Sequence, residues 1–384
     1  MISSERTVVR SSAFHGVFAF ALAIGCVCAQ DRAAVQAIDL DEPAPLDRVV
    51  RVLATKRVVF VGETHDRYDH HLNQLEIIRR LHELDPKLAI GIEYFPQSDQ
   101  PAVDDYLAGR ITENQFLRAV NYFRTWGYDY RLYAPIFRFA REQRIPVRAL
   151  NVAASLTSAV AKAGIAALSE QQRASLPHEI EPADAAYKAR LRAAFEEHQA
   201  LKPDAFDHFV EAQLVWDEGM AANAAAYLSA NEGRMVILAG AGHLVFGSGI
   251  PKRLERRTHD TYAIVLSSGI EVEPQVADYI LLSKKAELPP AGALGASLKD
   301  ENGECRVSSL VPAGGAAKAG MRKGDVLVSA GGEAVKTVND ARVALWDKKP
   351  GDRVRVSVWR GRRRGLEFEV ELGAAMKGGA RPLP

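Results

Sequence analysis

A chain of 384 residues with 47% hydrophobic content is long enough for two domains and can fill sizeable cores. Its 49 basic and 48 acidic side chains leave a net charge of +1, which excludes wholesale electrostatic binding of nucleic acid. Three cysteines, two of them near the N-terminus, exclude a disulfide framework.

At the start of the chain, Arg6 and Arg10 precede the apolar run "FHGVFAFALAIGCVCAQ", which is too short to span a bilayer and is followed by small residues. That is the pattern of a secretory signal, assigned to residues 1–29. Cleavage after Val27-Cys28-Ala29 would give a soluble periplasmic protein, and modification at Cys26, in the imperfect lipoprotein site Ala23-Ile24-Gly25-Cys26, would give a membrane-anchored one. Either route exports the chain.

Four apolar runs follow, "RVVFVG", "KLAIGIEYF", "IPVRALN" and "RMVILAGAGH", each succeeded by a stretch that suits a helix. This alternation predicts a mostly parallel α/β sheet, to which "TYAIVLSS" and "DYILLSK" add later strands. After the first strand, "HHLNQLEIIRRLHEL" predicts a helix whose apolar side is Leu72, Leu75, Ile78 and Leu81. Residues 153–232 are rich in Ala, Glu and Gln with spacing near the helical period, which predicts a helical insertion. "AELPPAGALG" then reads as a linker, and the strand-and-turn composition beyond it as a small β-rich domain over 291–373, with residues 374–384 as a disordered tail.

The polar residues gather at strand ends. Glu63 and His65 follow the first strand, Glu93 closes the second, Asn151 the third, and His243 follows the fourth. In a parallel sheet these ends share one edge, where ligands bind. "GETH" and "GAGH" repeat Gly-x-x-His, and two imidazoles with Glu63 and Glu93 suit a divalent transition metal such as Mn, Co or Zn. The plainer alternatives are surface histidines and an ion pair between Glu93 and an arginine.

His70, His71 and Gln74 either line the pocket mouth or decorate an exposed helix start. Asp217, one turn from Gln213 and Met220, faces either inward or solvent. Tyr122, Trp126, Tyr128, Tyr130 and Tyr133 read as core packing or as a flat apolar platform with a tyrosinate iron ligand.

"VGETHDRYDHHLNQL", "IGIEYF", "YAPIFRFAREQRIPVRALN", "AQLVWDEGMA" and "GAGHLVFGSGIP" occur in this order and together resemble the ChaN-like haem-binding lipoprotein family over about residues 40–287. The resemblance implies a Rossmann-like domain, the cell envelope, and haem binding linked to iron uptake. Tyr128, Tyr130 and Tyr133 are all candidate haem ligands, with His70, His71, Gln74, Asn151 and Asp217 as further cofactor-binding candidates. The paired Gly-x-x-His motifs are also similar to the wider Tiki and erythromycin-esterase-like group, which keeps open a metal-dependent hydrolase using His65, His243, Glu63 and Glu93.

Residues 291–373 resemble a PDZ domain, on "AAKAGMRKGDVLVSAGG" above all. Ala293, Leu294, Gly295 and Ala296 would form the loop that receives a peptide carboxylate. The partners expected are therefore haem or another small molecule and protein C-termini, with a lipid anchor and a homodimer left open. A scaffold with a vestigial α/β cleft is the third alternative.

Overall fold

The computed structural model describes residues 43–196, 205–361 and 363–375. The expected signal segment, the lipid-modification site at Cys26 and the tail beyond residue 375 lie outside the described residues. No helix among the described residues is long and apolar enough to cross a membrane.

Strands β1 (Val58–Glu63), β2 (Leu88–Pro96), β3 (Val147–Asn151), β4 (Arg234–Gly240), β5 (Tyr262–Ser267) and β6 (Tyr279–Leu281) form one sheet in the order β3-β2-β4-β1-β5-β6. Every pairing in it is parallel, so all six carboxyl ends share one edge. β1 is buried along its whole length because both faces of the sheet are covered. Val59 and Val61 join one core and Val58 and Phe60 the other, as a two-residue period requires.

The first face carries α1 (Leu46–Leu53), α2 (Tyr68–Leu84), α3 (Gln100–Leu107), α4 (Glu113–Ala119), α5 (Tyr122–Thr125) and α6 (Ala134–Gln143). The expected helical insertion comprises α7 (Ala154–Ala163), α8 (Glu170–Arg173), α9 (Ala185–Glu196) and α10 (Ala205–Ala230). α10 and α11 (Ile250–Thr258) cover the second face.

The β-rich part begins with β7 (Gly292–Ala293). It contains an antiparallel sheet in the order β13-β12-β10-β9-β8, built from β8 (Ala296–Glu301), β9 (Glu304–Leu310), β10 (Val326–Ala330), β12 (Arg353–Arg360) and β13 (Arg363–Glu371). β11 (Glu333–Ala334) pairs with β10, and two helices, α12 (Gly315–Lys318) and α13 (Val338–Leu345), complete it. β14 (Gly373–Ala374) pairs with β7, so Ala374, assigned to a disordered tail by composition, is hydrogen-bonded backbone opposite Gly292.

The expected linker does not leave the two parts independent. Val343 and Trp346, at the end of α13, are buried in the core of the first sheet face, whereas Ala341 and Ala344 belong to the core of the β-rich part. Trp346 Nε1 donates to Asn114 Oδ1 at 2.8 Å, and Phe123 N–H donates to Asn339 Oδ1 at 3.0 Å. Arg118 bridges Glu333 at 2.8 Å and Asp340 at 3.3 Å. The linker itself is pinned where Arg131 Nη1 donates to Pro289 O at 2.8 Å.

Candidate functional site

β1 and β4 are neighbours, and their continuations carry His65 and His243 to the same end of the sheet. His65 Nδ1 donates to Glu63 Oε1 at 2.6 Å, and His243 Nδ1 donates to Asp217 Oδ1 at 2.6 Å. Asp217 is fixed from its other oxygen by the Tyr187 hydroxyl at 2.6 Å. Each imidazole therefore has its Nδ1 proton held by a carboxylate, which sets its tautomer and orientation.

Glu93, from β2, lies between them. Its Oε2 accepts the Gly240 N–H at 2.6 Å, and its Oε1 is 3.4 Å from His243 Nε2. The His65 ring lies against Gly240, where a Cβ would come within 2.8 Å of Cε1, so glycine is required for this close approach. Burial would raise the Glu93 carboxyl, but His243, His65 and the Gly240 N–H outweigh it and hold the group down at about 2. Burial would likewise lower His65, yet Glu63 and then Glu93 hold its imidazolium up to about 9. Opposed by the same burial, Glu93 and Asp217 keep His243 well above the usual imidazole range.

His70, His71 and Gln74 are neither at the mouth nor on an exposed helix start, because all three are buried. Thr64 N–H donates to His70 Nδ1 at 3.0 Å while His70 Nε2 faces Ser268 O at 3.0 Å, and burial first of all holds this ring below its ordinary pKa. His71 faces Gln74 Oε1 through Nδ1 and His65 O through Nε2, and Gln74 Nε2 donates to Val61 O. These residues form a buried brace under the Glu63-His65 turn. Asn151 also braces: its Nδ2 donates to Glu93 O at 2.9 Å. Asp217 faces inward.

The three candidate tyrosines separate by burial. Tyr130 and Tyr133 are fully buried, with the Tyr130 hydroxyl on Glu113 and the Tyr133 hydroxyl donating to His65 O at 3.1 Å. Tyr128 is half-buried, with its ring centroid 5.0 Å from that of His65 and 5.5 Å from that of Trp126. His65 and His243 keep side-chain exposures of 22% and 14%, and Tyr128 stands against the more exposed of the two rings. Burial, then Glu63, Asp66 and Glu93, push the Tyr128 phenol up to about 12. A phenolate there needs a cation to stabilise it.

The expectation that His65, His243, Glu63 and Glu93 form a bare-metal first shell is not supported. Among the described residues no group of three or more His, Cys, Asp or Glu side chains is placed to hold a metal ion. The reason is visible in Glu63, which spends Oε1 on His65 Nδ1 and stands behind the imidazole. Haem is the better fit: it can draw on one half-buried but accessible phenol, an adjacent imidazole and flanking aromatic rings. Two buried polar atoms, Trp126 Nε1 next to His65 and Glu63 Oε2 behind it, have no hydrogen-bond partner among the described residues, the latter lying 3.8 Å from His71 Nε2.

Tyr187, the partner of Asp217, carries no signal in the sequence, since it lies 30 positions away in a different helix. Trp126 was visible there only as one of an aromatic cluster.

Fold and site together define an α/β protein of the class that receives a ligand at the carboxyl edge of a parallel sheet. The chain belongs to the family described as haem-binding uptake, Tiki superfamily, ChaN, whose profile matches residues 49–254; residues 292–372 match the PDZ domain. Among solved structures, one described as cofacial heme binding to ChaN of Campylobacter jejuni is similar at 18% identity, with a TM-score of 0.52, over 62% of this chain and 91% of that one. The HtrA-type protease AlgW with a decapeptide is similar at 19% identity, with a TM-score of 0.22, over 23% of this chain and 31% of that one. A serine endoprotease from Yersinia pestis is similar at 18% identity, with a TM-score of 0.21, over 23% and 30% respectively. No curated protein matches significantly.

Proposed function

We propose that the chain is an exported cell-envelope protein that binds haem at the Tyr128 mouth as part of iron uptake, and that its PDZ domain docks the C-termini of partner proteins. One observation carries the haem reading: of the three candidate tyrosines, Tyr128 alone is accessible, and it stands ring to ring with His65. Haem would supply the ferric charge that stabilises a phenolate. Tyr128 would ligate it, Trp126 would flank it, and the Glu63-His65 dyad would present a proton from Nε2 beside it. The cofacial arrangement described for the Campylobacter jejuni protein fits a homodimer, which the mass in solution with and without haem would reveal. Absorption spectroscopy with metal analysis tests the main reading. A tyrosinate-type Soret signature that Tyr128→Phe abolishes is expected, and a clean protein that leaves micromolar haem unbound would overturn it.

A second reading, metal-dependent hydrolysis, has one point in its favour. Carboxylates hold Nδ1 of both histidines, and His243 Nε2 lies 3.4 Å from Glu93 Oε1, the kind of orientation that carboxylates also give to metal-binding histidines. It expects Mn, Co or Zn in the purified protein and turnover of peptide, ester or amide substrates that His65→Ala eliminates. Metal content unaffected by His65→Ala, with no turnover, would sink it.

A further inference from the structure

We propose that occupancy of the PDZ groove between β8 and α13, where a docked C-terminus would lie, sets how tightly the Tyr128-His65 mouth holds haem. This coupling rests on the haem-binding and docking readings above.

The groove has the chemistry of an apolar peptide end. β8 is the last strand of its sheet, so one edge of its backbone faces no other strand. Ala296 and Leu298 alternate along it and share a face, and Val338 and Leu345 lie two turns apart on α13; all four are half-buried against the PDZ core. Before β8, the Leu294 carbonyl accepts from Ala316 N–H and the Gly295 carbonyl from Val311 N–H. Because the peptide unit is planar and trans, the N–H groups of Gly295 and Ala296 point the opposite way, toward where a carboxylate would arrive. Gly295 holds φ +73, and a Cβ there would meet Gly314 Cα at 3.1 Å, so the loop has a fixed shape.

The wall of this groove also packs into the core of the haem-binding domain. α13 faces the groove with Val338 and Leu345 and buries Val343 and Trp346 in the α/β core. Asn339 accepts the N–H of Phe123 in α5, and the very next residue after α5 is Trp126, whose ring sits 4.9 Å from His65 and 5.5 Å from Tyr128. A second route is aromatic: Trp346 packs on Tyr130 at 5.0 Å, Tyr130 on Tyr122 at 5.1 Å, and Tyr122 on Tyr133, whose hydroxyl holds His65 O. Val338 N–H donates to Asp300 Oδ1 at 2.8 Å, tying the start of α13 to β8, and a peptide strand wedged beside β8 would load this tie. The close-packed core then transmits any shift of α13 to α5 and the mouth.

The test uses the full chain and fluorescein-labelled peptides that end in Val, Leu, Ala or Phe, carry Val third from the end, and are compared with their C-terminal amides. Haem is titrated with and without saturating peptide. At least one free-acid peptide is expected to bind while its amide does not, and to change the haem midpoint by about fivefold or more. Haem must change that peptide's affinity by the same factor, since coupling is reciprocal. Ala296→Glu, which sets a carboxylate against the peptide's own, should lose both the peptide signal and the shift. Failure of all the peptides to bind would overturn the groove assignment. Tight peptide binding with an unmoved haem midpoint would overturn the coupling alone, and absence of haem uptake in every arm would overturn the haem reading and the coupling with it.

Discussion

His65 and His243 occupy equivalent places on adjacent parallel strands: each follows the strand's carboxyl end, each gives Nδ1 to a buried carboxylate at 2.6 Å, and both lie beside Glu93. Glu93→Gln keeps an oxygen for the Gly240 N–H, removes the charge between the rings and turns a donor NH2 toward His243 Nε2. Both imidazoles should then titrate at lower pH. The variant should also lose about 1.5 kcal/mol of stability in mild acid, where charged His243 keeps Asp217 but loses the second of its two carboxylates. Histidine NMR titration and urea denaturation read these two effects, and unchanged titration curves would mean that Glu63 and Asp217 alone set the imidazoles.

The pH dependence of stability has a definite sign. His65 rises from its ordinary 6.5 to about 9 on folding, so its contribution is complete below 6.5 and is lost as pH climbs through 9. Glu93 falls from 4.5 to about 2, so its contribution is complete above 4.5 and is lost as pH drops through 2. His70, held neutral by burial, contributes above 6.5 and loses that contribution in acid. Stability should therefore peak near pH 6.5 and decline toward 9, as urea midpoints across this range would report. A midpoint still rising at pH 9 would contradict the charged state assigned to His65.

Tyr128→Phe and Tyr133→Phe should separate binding from folding. The Tyr128 side chain is half-buried and its hydroxyl makes no hydrogen bond among the described residues, so loss of that hydroxyl should change stability by less than about 0.5 kcal/mol while abolishing the tyrosinate signature. The Tyr133 hydroxyl is buried on His65 O, and its removal should cost about 1 kcal/mol by leaving that carbonyl short of a donor. A Tyr128→Phe protein with an unaltered haem spectrum would move the ligand elsewhere.

The strands and the convergence of His65, His243 and Glu93 were legible because uninterrupted apolar runs mark strands buried on both faces, and parallel topology does the rest. The start of α2 was not. Counting apolar residues puts Leu72 inside, yet Leu72 is 37% exposed while His70, His71 and Gln74 are buried, because the first turn of this helix lies over a polar site. The union of the two domains was also missed, although α13 carries a trace of it: Ala341 and Ala344 supply one apolar side and Val343 and Trp346 another, more than a helix with a single partner needs.

Trp346 gives that union its clearest test. Its ring is 8% exposed, packs 5.0 Å from Tyr130 and lies under the Arg138 guanidinium at 5.4 Å, while its Nε1 donates to Asn114. Trp346→Ala should cost about 3 kcal/mol or more through the cavity and the orphaned amide. Because the lost contacts join the two cores, unfolding should split from one cooperative transition into two. The segment from Lys284 to Pro289, pinned in the native protein through Arg131, should become a preferred protease site. A PDZ domain merely tethered by its linker would show neither change, so calorimetry and limited proteolysis of this one variant distinguish a shared core from a flexible appendage.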